Sequence, residues 1–444
     1  MIQPSSVHET LSRFQLADGY SIVLDMERSE GSWIHDAVTG TRFLDAFTGY
    51  ASWPIGYNHP GMDDPAFREE LANCSLMKPA NSDVYTVSLA RFVETFGTHV
   101  TPEGFPHHFW ISGGSLAVEN AMKTAFDWKA HRLGRNSYTD NCDDLVIMHL
   151  RQAFHGRSGY TMSVTNTLPD KVGLFPKFHW PRISNPFIVF DDQGGIANDV
   201  EAEEAISLEQ AREALEVEYR DRVAGILIEP MQGEGGDNHF RTEYLQQLRG
   251  LADEFDSLLL FDEVQTGFFG SGKPWLWQHH GVAPDVVAFG KKSQVCGIYA
   301  SERVDEVPQN VFRKSSRINS TWGGNLVDMV RSRRMIEIIQ EEDLGGRVLV
   351  TGQKLLDGLR SITASCSQLS SARGVGSLAA VTCEDAECRS RFVTGLHDRK
   401  ILALPCGTRS IRFRIPLTMT DDEVDLLLQA VADVTSTVVA PSGD

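Results

Sequence analysis

Four short stretches of the chain combine glycines, carboxylates and amines in ways that suit chemistry on a small molecule. The first is Pro284-Asp285-Val286-Val287-Ala288-Phe289-Gly290-Lys291-Lys292, where two lysines follow an apolar run. A lysine drawn out of water loses part of its affinity for a proton and becomes an amine able to attack a carbonyl. Neighbours on an extended chain point to opposite faces, so only one of the two should reach a shared ligand. The second is Leu258-Leu259-Leu260-Phe261-Asp262-Glu263-Val264-Gln265-Thr266-Gly267. A carboxylate closing a buried strand is costly unless paired, and a protonated ring nitrogen is a partner that would suit Asp262.

The third stretch, Ser112-Gly113-Gly114-Ser115, runs into a helix whose first N–H groups and partial positive charge would stabilise a phosphate. The fourth, Phe154-His155-Gly156-Arg157, offers an aromatic face for stacking and a guanidinium for a carboxylate. Each taken singly has a plainer explanation: a solvated basic turn, a capping aspartate, a glycine turn, a core phenylalanine beside a surface arginine. Their agreement at the ends of expected strands carries the argument, since open α/β sheets bind ligands there.

Two further matches do not hold. Gly267-Phe268-Phe269-Gly270-Ser271-Gly272-Lys273-Pro274 begins like a phosphate-binding P-loop, but Pro274 supplies neither the hydroxyl nor the N–H required at that place. Gly374-Val375-Gly376-Ser377-Leu378-Ala379 fits a dinucleotide fingerprint, yet it continues into an apolar run that reads as a strand after a turn, not as a helix.

The elements that would position these residues alternate in the βαβ manner of an α/β protein with a mostly parallel sheet. Strands are expected at 109–111, 145–148, 187–190, 225–228, 258–261 and 286–289, and helices at 116–131, 201–219 and 242–255. A long helix at 326–341 opens a smaller α+β domain. Residues 33–45 read as a hairpin that packs with the carboxy-terminal part. The expected division is an amino-terminal segment 1–60, a large ligand-binding domain 61–325 and a small domain 326–444, as a length of 444 residues allows.

A net charge of −19 argues against a general affinity for nucleic acid or anionic membranes. The start of the chain has no basic stretch leading into an apolar run, and no segment is long enough to span a bilayer. Seven scattered cysteines without a CxxC pair fit reduced thiols, and no metal site is expected. The expected location is the cytoplasm.

The order Asp262-Glu263-Val264-Gln265-Thr266-Gly267, Gly272-Lys273, Pro284-Asp285 and Gly290-Lys291 resembles the signature of class III (subgroup II, ω-type) aminotransferases of PLP fold type I. The likeness runs from about residue 36 to residue 427. It implies pyridoxal 5'-phosphate (PLP) as cofactor and a homodimer with shared active sites. By this resemblance Gly114 and Ser115 hold the cofactor phosphate, and Phe154 and Val264 cover the two faces of the ring, with His155 beside it. Asp262 faces the ring nitrogen, Gln265 bonds the phenolic oxygen, and Lys291 is the Schiff-base lysine and proton carrier, with Lys292 the alternative. Thr321 resembles the residue that reaches the phosphate from the partner subunit.

The resemblance also implies the substrates. Arg412 binds the α-carboxylate of 2-oxoglutarate, Glu234 neutralises Arg412 while an ω-amine donor is present, and Arg157 holds the donor's distant carboxylate. Asn319 and Tyr50 complete the substrate contacts. Stretches 78–85, 154–161, 289–297 and 319–325 resemble the branch that transfers the 6-amino group of L-lysine, giving 2-aminoadipate 6-semialdehyde, which cyclises, and L-glutamate. The segment 48–54 departs from the pattern by carrying Tyr50, Trp53 and Pro54 where the donor pocket is expected. It keeps ornithine, 4-aminobutyrate or another diamino acid open as donors. An aminomutase or a non-catalytic scaffold stands further off.

Overall fold

The computed structural model describes residues 2–438. Its largest sheet has seven strands in the spatial order His107–Ile111, Cys296–Ala300, Val286–Phe289, Leu258–Asp262, Val223–Ile228, Val146–Leu150, Arg182–Ile183. Five neighbours from Val286–Phe289 to Arg182–Ile183 are parallel, and Cys296–Ala300 runs against both strands it pairs with. Apolar residues line both faces. Leu258 and Leu260 pack under the helix Gly114–Arg132, whereas Leu259 and Phe261 join the core on the opposite face. Burial on both sides is why these strands read as continuous apolar runs and not as alternating ones.

Five of the six expected strands are present, with ends shifted by at most two residues. The sixth is not. Residues 187–190 form only an isolated bridge, Phe190 with Ile196, and the sheet edge is Arg182–Ile183 instead. Pro186 has no N–H to give a ladder. The Asn198 amide then takes the place of a neighbouring strand, accepting from Val189 N at 2.9 Å and donating to Phe187 O at 3.0 Å. The strand Cys296–Ala300 has no counterpart in the sequence reading.

The three expected helices become Gly114–Arg132, Val200–Glu213 and Thr242–Glu254, and the second closes with a π-type turn over Ala214–Glu218. The long helix spans Leu326–Glu341. A four-stranded antiparallel sheet follows it, in which Leu369–Val375 and Leu378–Cys383 form a hairpin, and the second of these is the strand expected after the glycine-rich turn. The hairpin at 33–45 forms, and its second strand, Arg42–Asp45, pairs with Ile401–Leu402. Among the described residues no helix is long and apolar enough to cross a membrane.

Candidate active site

The carboxyl ends of the parallel strands open on a cavity of about 560 Å³. Each strand contributes the residues just beyond it. Val146–Leu150 leads to Phe154, His155, Gly156 and Arg157, Val223–Ile228 to Glu229 and Glu234, Leu258–Asp262 to Val264 and Gln265, and Val286–Phe289 to Lys291. Gly114 and Ser115, at the start of the helix Gly114–Arg132, close one side, and Arg412 enters from the smaller antiparallel sheet.

Lys291 and Lys292 part company here. Lys291 lines the cavity, and its Nζ donates to Gln265 Oε1. Lys292 is buried on another side, where its Nζ donates to the carbonyls of Gln265 at 2.6 Å and Gly267 at 3.2 Å. The turn that separates them holds Lys291 at φ 53°, a left-handed conformation uncommon outside glycine. Burial, aided by the nearby Arg412 charge, pushes the Lys291 ammonium down to about 8. Lys291 is therefore a partly neutral amine at ordinary pH.

Asp262 is buried in the cavity floor, with Oδ2 2.8 Å from His155 Nδ1 and Oδ1 accepting from Val264 N at 3.0 Å. Glu229 lies nearby, accepting from Phe154 N at 3.0 Å and Gly233 N at 3.1 Å. Burial pushes its carboxyl up to about 7, against the opposing pull of His155. Its place at the end of an apolar strand is the same signal that singled out Asp262, and it could have been read the same way.

At the mouth, Arg412 Nη2 meets Glu234 Oε2 at 2.7 Å, and Lys171 Nζ pairs with the other carboxylate oxygen. Nothing in the sequence pointed to Lys171. Arg157 is exposed and also lines the cavity. Of the segment 48–54, Gly49, Tyr50 and Ser52 reach the cavity, whereas Trp53 and Pro54 do not. Trp53 packs against Tyr57, and Pro54 O accepts from Leu417 N. The altered residues at 53 and 54 thus support the segment from behind. Asn319 and Thr321 are exposed and lie outside this cavity, Asn319 in a separate pocket beside Asn81, His108 and Trp110.

The residues suit PLP on their own geometry. Two buried carboxylates, Asp262 and Glu229, and Lys291, an amine of lowered basicity, line the cavity, and Gln265 Nε2 and His155 Nε2 are buried without a partner. A Cβ at residue 114 would stand 2.8 Å from Val264 Cγ1, so the absence of a side chain there keeps the helix start open to a phosphate. The volume is that of an ordinary small-molecule site.

The chain matches the family model for Aminotransferase class-III over residues 16–435. It is 46% identical over 440 residues to an L-lysine-epsilon aminotransferase of Streptomyces clavuligerus, covering 98% of this chain and 95% of that protein. It is 48% identical over 435 residues to an L-lysine-epsilon aminotransferase of Mycobacterium tuberculosis, covering 96% and 95%. A solved structure of a lysine aminotransferase from M. tuberculosis in the internal aldimine form superposes with a TM-score of 0.93 at 46% identity, covering 99% of this chain and 100% of that one. With the strand ends, Lys291 and the floor carboxylate already in place, these likenesses decide the matter: the chain belongs to the class III aminotransferases, has their α/β fold type I, and is a transferase that works with pyridoxal 5'-phosphate.

Proposed function

We propose that the protein is an ω-aminotransferase that carries the 6-amino group of L-lysine to 2-oxoglutarate, releasing 2-aminoadipate 6-semialdehyde and L-glutamate. The observation that carries this reading is that one cavity holds Lys291 together with two arginines of different character. Arg157 is open, while Arg412 is covered by Glu234. L-Lysine bears one carboxylate far from the reacting amine and suits the first. 2-Oxoglutarate bears one beside the reacting carbon and suits the second once Glu234 has moved. The near full-length likeness to lysine aminotransferases supports the same donor.

When bound, the cofactor supplies an electron sink that stabilises the carbanion left after the substrate carbon loses its proton. The chain's own residues do the rest. Asp262, held by His155, would face the ring nitrogen, and Phe154 and Val264 would confine the ring between them. Gly114 and Ser115 offer the helix start to the phosphate, and Gln265 offers its free amide N–H to the phenolic oxygen. Lys291 Nζ is the attachment point for the cofactor. Once freed from the cofactor, the same nitrogen would be placed to carry the proton lost by the substrate carbon.

Thr321 and Asn319 act in this reading from the second copy of a homodimer, each reaching the other subunit's cavity. The domain division 1–60, 61–325 and 326–444 and a cytoplasmic location belong to the same proposal. The test is a panel of L-lysine, L-ornithine and 4-aminobutyrate with 2-oxoglutarate, with glutamate and aldehyde followed together. L-Lysine should be fastest, with the two products accumulating in step. Negligible turnover of L-lysine beside a fast competitor would overturn the donor assignment.

A further inference from the structure

One carboxylate at the cavity mouth serves two cations. Glu234 gives Oε2 to Arg412 Nη2 at 2.7 Å and Oε1 to Lys171 Nζ. Lys171 comes from the short helix Pro169–Val172, outside the sheet, and its Nζ also stands 5.3 Å above the centroid of the Phe154 ring. The Arg412 side chain is 3% exposed, against 21% for Glu234 and 26% for Lys171. The cluster therefore carries two positive charges and one negative, graded from buried to half-open.

We propose that Lys171 is a positioning residue for the acceptor half-reaction: it retains Glu234 when a dicarboxylic oxo acid takes Arg412. This rests on the reading of Arg412 as the acceptor carboxylate site. Two anions cannot share one buried guanidinium at low cost, so the incoming carboxylate must displace Glu234. A carboxylate set loose in a partly closed site loses a partner without regaining full hydration. Lys171 already holds the second oxygen, so Glu234 need only give up Arg412 and swing toward an amine it touches. Without Lys171, Arg412 would be the sole partner of Glu234 and harder for the acceptor to win. In the donor half-reaction Glu234 stays on Arg412 either way, and Lys171 matters less.

The probe is glutarate, a dicarboxylate of the same length as 2-oxoglutarate that lacks the reacting carbonyl, titrated into holoenzyme by calorimetry. Lys171→Met should weaken glutarate binding about fivefold, the upper range of one partly exposed ion pair, and Lys171→Arg should restore it. In a Glu234→Gln background Lys171→Met should have no further effect. In steady-state kinetics Lys171→Met should raise the KM for 2-oxoglutarate about fivefold more than that for the amine donor, with kcat little altered.

If Arg412→Met abolishes glutarate binding while Lys171→Met leaves it within about twofold, the role of Lys171 is wrong and the acceptor site stands. An equal loss on Lys171→Met in the Glu234→Gln background would mean that Lys171 touches the ligand directly, which also overturns the proposal. If Arg412→Met leaves glutarate binding intact, the acceptor site itself has been misread.

Discussion

His155 Nδ1 and Asp262 Oδ2 meet at 2.8 Å in the cavity floor, both side chains almost wholly withdrawn from water although 107 residues separate them in the chain. A buried carboxylate with one firm partner and a second oxygen on Val264 N is fixed in direction before any ligand arrives. Its charge, not only its shape, is what a protonated ring nitrogen requires. Asp262→Asn keeps the size and removes the charge. It should lower kcat roughly 10²–10³-fold, the scale of losing one preorganised electrostatic contact, with an unchanged circular dichroism spectrum. Turnover within a few-fold of the parent would contradict the assignment.

The lowered basicity of Lys291 predicts a pH profile. Only the neutral amine attacks a carbonyl, and burial moves the ammonium from 10.5 down to about 8, so the free amine accumulates above that value. The rate at which apoprotein captures PLP, read by stopped-flow absorbance, should rise with pH and be half-maximal near 8. A midpoint near the ordinary lysine value would mean that the residue is solvated.

Gly156 lies at φ 116°, where a side chain is strained, and a Cβ there would stand 2.9 Å from Ser115 Cα. Gly156→Ala must push the Phe154–Arg157 turn away from the helix start. It should cost about 1–3 kcal/mol of stability and weaken retention of the cofactor. Urea unfolding and equilibrium dialysis of PLP measure the two effects, and a variant unchanged in both would show that the turn tolerates a side chain.

Arg414 and Asp237 form a two-pronged pair behind the site, at 2.5 and 2.8 Å, with the arginine side chain fully buried. Removing one partner leaves an uncompensated buried charge. Arg414→Met should destabilise the protein by about 3–5 kcal/mol, and the double variant with Asp237→Leu should recover part of that loss. A double variant no better than Arg414→Met alone would show that packing, not charge, is what the pair provides.

Much of this was legible in the sequence because the parallel strands are apolar on both faces, so the runs at 258–261 and 286–289 stood out and the residues after them had to be strand-end residues. Gly114, Ser115, Phe154, His155, Arg157, Glu234, Asp262, Val264, Gln265, Lys291 and Arg412 do converge on one cavity. The choice between Lys291 and Lys292 needed the left-handed turn at 291, which a sequence does not display. Residues 187–190 had the composition of a strand but not the neighbours, since their hydrogen bonds go to scattered partners, the Asn198 amide and the Ser371 hydroxyl among them. The strand Cys296–Ala300 carries Gly297 near its start, which hides it. Lys171 was invisible because a surface lysine 63 residues from Glu234 carries no local mark. Asn319 and Thr321 lie outside this cavity, Asn319 in a pocket of its own.

The account stands on Lys291 as the residue that holds the cofactor covalently. Borohydride reduction of the holoenzyme, followed by proteolysis and tandem mass spectrometry, tests this most directly. The pyridoxyl mass should be fixed on Lys291, and the Lys292→Met variant should label at the same place. Label on Lys292, on another lysine, or on none at all would contradict the account.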